Sequence, residues 1–207
     1  MKFYESGDSS KPVIFLFPGT CCLYSSFDHV LDGLHSYFYT VTVSYDGFDP
    51  NEKTEFYSME DECEKIEQEI RKKHGGSIKA AYGCSLGGSF VSLLIQRKRI
   101  HIEHGIIGSS DMDEAGNLVA KIQASMVVPF MYKMVHTGAL PKFMQKKLNK
   151  TDEVKKELYN GFLNMFGIGK GGSPWITKQS IYNQFYSDLV TKIQHGIDVP
   201  GTTIHVF

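Results

Sequence analysis

Apolar and polar residues alternate with two different periodicities in the first half of this chain. A continuous apolar run lies at Pro12–Phe17 and a β-branched one at Tyr39–Ser44. A small, mostly apolar stretch starts at Ile78, and His101–Gly108 has the pattern of one more strand. Runs of this kind are typical of strands that are buried on both faces of a parallel sheet. The stretches between them place apolar residues at helical spacing, so strands and helices are predicted to alternate.

The helices between these strands have recognisable ends. Ser25–Leu34 has an apolar face, and Ser58 begins a capping box with Asp61 that opens a helix to about Lys73. Strands that alternate with helices predict an α/β fold with a doubly wound, mostly parallel sheet. Lys2–Glu5 is predicted to add a short edge strand.

The pattern changes after the strand that ends near Asp111. Helical patterns then follow one another, and Pro200–Phe207 again has the pattern of a strand. The predicted helices span Asn117–Met134, Pro141–Leu148, Asp152–Phe166 and Lys178–Gln194. We therefore expect an α/β core at residues 1–111, a helical cap at 112–198 and a final core strand at 199–207. Met126 and Phe130 could form a deformable apolar wall in such a cap, although residues of this type more often pack a core.

The candidate chemistry lies where the strand from Ile78 meets the next helix, at Gly83-Cys84-Ser85-Leu86-Gly87-Gly88. A serine on a sharp strand-to-helix turn is held in a strained backbone conformation with its hydroxyl exposed. Flanking glycines allow the strand and the helix to cross closely, and free N–H groups at the helix start favour a developing oxyanion. Ser85 is therefore predicted to be a nucleophile rather than part of a plain Gly/Ser loop, with Cys84 pointing away from the apex. The loop lacks the Lys-Ser/Thr ending of a phosphate-binding loop and the spacing of a dinucleotide fingerprint.

Three polar residues follow the carboxyl ends of predicted strands, namely Thr20, Ser85 and Asp111. In open parallel sheets the ligand crevice lies beyond these strand ends. We therefore expect the three residues to share one crevice.

The order of elements resembles the α/β-hydrolase fold over nearly the whole chain. Gly83–Gly88 is similar to that family's nucleophile elbow. Phe17–Thr20 stands where the family has a His-Gly turn, with Pro18 in place of the His. Since an oxyanion hole needs only backbone N–H groups at this turn, Pro18 is compatible with the role.

This resemblance implies a serine hydrolase with a defined set of site residues. Ser85 would be the nucleophile, and the backbone N–H groups of Thr20 and Leu86 would form the oxyanion hole. The helices that follow Asp111 are similar to the cap of many family members. No cofactor and no metal are implied.

The catalytic triad, by contrast, is incomplete on this resemblance. The family's acid usually follows the next-to-last strand and its His follows the last, whereas the strand that ends at Phe207 resembles the next-to-last one. Two explanations stay open: a fragment of a longer hydrolase, or a short protein that has lost or rebuilt its triad. Asp111 is an alternative acid, with a helix cap or a solvated loop as the simpler expectation. His136, His195 and His205 are candidates for the base, but none is assigned.

Composition and charge limit the partners. The chain has 207 residues, four cysteines without metal-ligand spacing and a formal net charge of -1. We therefore expect one domain, a cytoplasmic location and no nucleic-acid partner. The lysines at 142–150 are expected to be balanced by acids at 152–157, and no apolar run predicts a membrane span. A homodimer through an exposed edge at Thr202–Phe207 is left open.

Two functions from different classes follow. The leading hypothesis is a serine hydrolase that cleaves a carboxylic ester or a similar acyl substrate through an acyl-enzyme at Ser85. The alternative is a hydrolase-like protein with an incomplete triad that binds an apolar small molecule with little or no catalysis.

Overall fold

Six strands of the described residues form one sheet in the order β1-β3-β2-β4-β5-β6. The computed structural model describes residues 1–110, 112, 114–166 and 171–207. The strands are β1 (Lys2–Ser6), β2 (Val13–Phe17), β3 (Tyr39–Ser44), β4 (Ser77–Cys84), β5 (His101–Gly108) and β6 (Thr203–Val206). β1 runs antiparallel to β3, and all other neighbouring strands are parallel. The expected α/β fold with a doubly wound, mostly parallel sheet is confirmed.

The helices lie close to their predicted positions. They are α1 (Asp28–His35), α2 (Met59–His74), α3 (Leu86–Arg97), α4 (Asn117–Thr137), α5 (Lys142–Leu148), α6 (Glu153–Asn164) and α7 (Lys178–Val190). Several boundaries differ from the prediction by one to four residues, among them those of α1 and α7. A 3-10 turn at Tyr24–Phe27 precedes α1. α7 is four residues shorter than expected, because Thr191 takes an extended conformation with ψ 119°.

The ends of α2 match the signals in the sequence. The hydroxyl of Ser58 accepts a hydrogen bond of 3.1 Å from the Asp61 N–H, which satisfies one of the donors left free at a helix start. At the other end Gly75 takes the left-handed conformation with φ 61°, where glycine meets no steric penalty. The two ends of this helix are therefore determined by local sequence signals, the capping box at its start and the glycine at its end.

The two faces of the sheet are covered by different helices. Phe15 and Phe17 of β2 point into the large cluster that includes Met59 of α2 and Phe90 of α3. Alternate residues of β2 point to the opposite face, where Ile14 and Leu16 pack with Phe27 and with Leu31 and Leu34 of α1. Each fully buried side chain of this size contributes about 1.5–3 kcal/mol, so the sheet is a stable platform for the loops at its edge.

α7 is attached to the segment that follows β3. Ser187 accepts a 2.7 Å hydrogen bond from the Met59 N–H, and the side chain of Asn183 donates one of 2.7 Å to the Phe56 carbonyl. α4 packs along α7 in turn. The division of the chain at residues 111 and 199 into core and cap stays a prediction.

α4 is, among the described residues, the helix that is long and apolar enough to cross a membrane by length and composition. Over an 18-residue window of this helix the mean hydropathy is 1.2, and 28% of the window is buried in the protein. Core helices of soluble proteins pass the same test. The sequence analysis did not single it out because Lys121 and Lys133 interrupt its apolar run.

β6 lies at the sheet edge and, within the described part of the chain, pairs with β5 alone. Val206 and Phe207 are 71% and 81% exposed. An unpaired edge of this kind offers backbone groups to another strand. A homodimer through it stays a prediction.

Candidate active site

Ser85 is the single residue between β4 and α3, and it has a backbone conformation that L residues rarely adopt. Its φ is 53° and its ψ is -126°, a combination that costs about 1–3 kcal/mol for a residue with a side chain. Its N–H donates to the Gly108 carbonyl at 2.9 Å, and its carbonyl accepts from the Gly88 N–H at 2.8 Å. These bonds hold the strained apex and leave the Ser85 side chain exposed.

Two glycines allow this turn to form. A Cβ on Gly83 would lie 2.0 Å from the Gly87 carbonyl oxygen, and a Cβ on Gly87 would lie 2.1 Å from that of Phe17. No side chain fits at such distances. The glycines of the predicted elbow are therefore required by the close crossing of β4, α3 and the end of β2.

The turn after β2 lies beside Ser85. A Cβ on Gly19 would be 3.7 Å from the Cβ of Ser85. The Tyr45 hydroxyl donates to the Pro18 carbonyl at 3.1 Å, and the Cys22 N–H donates to the Gly19 carbonyl at 3.0 Å. The expected neighbourhood of the Pro18-Gly19 turn and the elbow is thus present.

Gln184 is a site residue that the sequence analysis missed. Its Oε1 accepts a 2.7 Å hydrogen bond from the N–H of Cys21, which itself has a φ of 59°. Since Gln184 lies on α7, far along the chain, no local sequence signal points to it. Tyr45 was missed because its bond to the Pro18 carbonyl joins two segments 27 residues apart.

Thr20 and Leu86 are the two residues predicted to form the oxyanion hole. Thr20 belongs to the turn beside Ser85, and Leu86 is the first residue of α3. Within the described residues neither backbone N–H donates a hydrogen bond. Both N–H groups are thus available, and the positive end of the α3 dipole lies at the same place.

The described residues supply no general base to Ser85. No hydrogen bond in the described part of the chain involves the Ser85 hydroxyl. Asp111, the candidate acid, lies outside the described residues, so its place in the expected crevice with Thr20 and Ser85 stays a prediction.

The three candidate histidines lie in different surroundings. His205 of β6 contacts His104 of β5, with 3.3 Å between Nε2 and Nδ1. His136 stacks at an angle on Tyr132, and His195 is exposed. None of the three is brought to Ser85 by a hydrogen bond among the described residues.

The cysteines near the site are poor nucleophiles or are turned inward. Burial and the neighbouring Cys84 raise the pKa of Cys22 to about 12, against a weaker opposite effect of the hydrogen bond with Gly19. Burial also raises the pKa of Cys21 well above its ordinary value. Since the thiolate is the reactive form, these two thiols are inert at neutral pH.

An open cavity of about 1040 Å³ lies between the 3-10 turn before α1 and α6. Its lining includes Ser26, His29 and, from α6, Val154 and Tyr159. The hydroxyl of Ser26 is buried without a hydrogen-bond partner among the described residues. The carbonyl of Met165, which also lines the cavity, accepts a hydrogen bond of 3.1 Å from the Leu23 N–H. Ser85 is not among the residues that line it.

Solved structures share this architecture. The chain superposes on a thermophilic esterase from Thermogutta terrifontis with a TM-score of 0.70 and 14% identity, over 99% of this chain and 74% of the esterase. An α/β-hydrolase family protein from Desulfitobacterium hafniense gives 0.68 and 16%, over 91% of this chain and 72% of that protein. The chain has the α/β-hydrolase fold.

Other neighbours with this fold carry different activities. A type II thioesterase from the borrelidin biosynthetic cluster matches 99% of this chain and 76% of its own length, with a TM-score of 0.64 and 12% identity. No known family profile matches the sequence, and no curated protein matches it. At these identities the α/β-hydrolase fold is shared, and the reaction has to be argued from the site.

Proposed function

We propose that this chain is a serine hydrolase that cleaves a carboxylic ester or a similar acyl compound. The observation that carries the proposal is the strained, exposed Ser85 at φ 53°, with the Pro18-Gly19 turn beside it. Strain of this order persists only where surrounding structure enforces it, and it clusters at functional sites.

In the proposed reaction Ser85 attacks the substrate carbonyl and forms an acyl-enzyme, which water then hydrolyses. The N–H groups of Thr20 and Leu86 would stabilise the oxyanion, because fixed donors act where negative charge develops. The helices between β5 and β6 would cap the site, and the cavity beside α6 would take the acyl or alcohol group. A cytoplasmic location is part of the proposal and is supported by four free cysteines.

One observation favours a second function. Among the described residues no base makes a hydrogen bond with the Ser85 hydroxyl, and a serine hydroxyl is a weak nucleophile without one. The alternative is therefore a hydrolase-like protein that binds an apolar small molecule without turning it over.

Covalent labelling separates the two functions. The chain is exposed briefly to a fluorophosphonate and its intact mass is measured, with Ser85→Ala as the test variant. Ser25→Ala serves as a matched control, because Ser25 lines the cavity beside α6. The hydrolase proposal expects one adduct that is lost in Ser85→Ala and kept in Ser25→Ala. Absence of an adduct in the wild-type chain would favour the binding protein.

A further inference from the structure

One face of α4 exposes a continuous apolar surface. Leu118, Ile122, Met126 and Phe130 recur at four-residue intervals and are 40 to 74% exposed. Val119 and Val127, beside them, are 50% and 40% exposed. Residues four apart lie on the same side of a helix, so these side chains form one stripe about 18 Å long. We call these six residues the α4 stripe.

The opposite face of α4 is already occupied. Ala120, Ala124, Val128 and Val135 are buried, and α4 packs along α7. The helix is therefore apolar on both sides, although only one side is covered by the described residues. An exposed apolar surface of this size is typical of a site that binds another protein or a membrane.

Charge is segregated along the part of the chain that contains α4. Residues 117–150 contain six lysines and no Asp or Glu, although the whole chain has 23 acidic residues and a net charge of only -1. Lys121 and Lys133 lie on α4 itself and are exposed. The chain therefore contains a strongly basic segment although its net charge is close to zero.

The acids that were expected to balance these lysines have other partners. Asp152 pairs with Lys155 at 3.0 Å, and Glu153 pairs with Lys156 at 3.7 Å. Both pairs lie at the start of α6. Among the described residues no ion pair reaches the lysines at positions 121, 133, 142, 146 or 150. These two ion pairs are local to the start of α6, and the expected balance of charge between this segment and the acids at 152–157 stays a prediction.

We propose that the α4 stripe docks on the surface of an anionic lipid bilayer. The stripe would enter the boundary between headgroups and acyl chains, and the lysines would contact lipid phosphates. Lys133 lies one turn beyond Phe130 on the same side, so its amine can reach the headgroups while its stem stays on the apolar surface. An apolar face with lysines on the same helix is the combination found in interfacial helices.

α4 lies on the bilayer and does not cross it. Crossing would expose to lipid the face that now holds Ala120, Ala124 and Val128 against the protein. A protein partner would fit the apolar stripe equally, but the acid-free segment of 34 residues favours the negatively charged surface of a bilayer.

Vesicle flotation with the full chain tests the proposal. Phosphatidylcholine vesicles with and without phosphatidylglycerol are compared for the wild type, for Ile122→Ser/Met126→Ser and for Lys121→Glu/Lys133→Glu. Tyr37→Ser/Tyr57→Ser is the matched control for lost exposed apolar groups, since these side chains are 73% and 64% exposed elsewhere. Lys72→Glu/Lys178→Glu is the control for net charge. Circular dichroism verifies that each variant folds.

The wild type is expected to float with the anionic vesicles, and less so at high salt. Each test variant should bind roughly 10-fold more weakly or worse, whereas both controls should bind like the wild type. Failure of the wild type to bind, or equal binding by the stripe variant, would overturn the proposal. A second result would also overturn the proposal: a lipid-free dimer in analytical ultracentrifugation that is lost in the stripe variant and is unaffected by vesicles. The stripe would then be a self-association face.

Discussion

The buried N–H of Cys21 donates a hydrogen bond of 2.7 Å to Oε1 of Gln184, 163 residues further along the chain. This bond ties α7 to the turn that carries the Thr20 N–H. The geometry beside Ser85 therefore depends on a helix that belongs to the predicted cap. The stability of the fold and the geometry of the turn beside Ser85 therefore both depend on this one amide.

Gln184→Ala should weaken both the fold and the site. The change leaves the Cys21 N–H buried without an acceptor, which costs about 1–3 kcal/mol. Urea denaturation measures the loss, and fluorophosphonate labelling of Ser85 should slow. Gln179→Ala is the matched control, because Gln179 lies on the same helix but bonds Asn183 at the surface. Equal stability of the two variants would contradict the role of Gln184.

Gly83→Ala should prevent correct folding of the elbow. The added Cβ would lie 2.0 Å from the Gly87 carbonyl oxygen, and relief would require β4 and α3 to separate, at a cost of about 3 kcal/mol or more. Gly33→Ala makes the same change in α1, where nothing lies within 4 Å. It should stabilise the protein by up to about 1 kcal/mol, the difference in helix propensity. Thermal denaturation of both variants gives the comparison, and a stable Gly83→Ala protein would refute the close crossing.

Ser85→Gly should be more stable than Ser85→Ala by about 1 kcal/mol. Glycine adopts φ 53° without strain, whereas alanine keeps the strain of the native serine. Urea midpoints of the two variants measure the difference, and neither variant should be labelled by a fluorophosphonate. If alanine were the more stable residue, as at an ordinary helix start, the strained apex would be disproved.

Glu62 should make stability fall as pH rises towards neutrality. Burial, and then the nearby Asp46 carboxylate, raise the pKa of Glu62 to about 7, against the opposing effect of Lys65. The folded protein therefore holds this proton more tightly than the unfolded chain. The resulting stability is fully present below the ordinary carboxyl pKa and is lost as the pH rises through about 7.

Glu62→Gln should remove that pH dependence, because the amide has no proton to lose. Urea midpoints between pH 5 and pH 8 give the slope for both proteins. Asp61→Asn is the control, since Asp61 is an exposed acid on the same helix. A slope that survives in Glu62→Gln would assign the pH dependence to another group.

The elements of the core could be predicted because their signals are local. The apolar run at Tyr39–Ser44 coincides with β3, and Ser58 caps α2 as its spacing with Asp61 indicates. The glycines around Ser85 made the elbow predictable for the same reason, since only glycine fits where a strand and a helix cross so closely. Resemblance of the whole pattern to the α/β-hydrolase fold was confirmed by structures that share 16% identity or less.

What the sequence left open depends on contacts between distant segments. The Gln184 bond to Cys21 and the cavity between the 3-10 turn and α6 arise only when the chain is packed. The exposure of the α4 stripe has the same origin, because composition alone cannot say which face of an apolar helix is covered. Period and turn chemistry in the sequence thus determined the strands, the helices and the strained turn at Ser85, whereas tertiary packing decided which polar groups meet and which apolar faces stay in water.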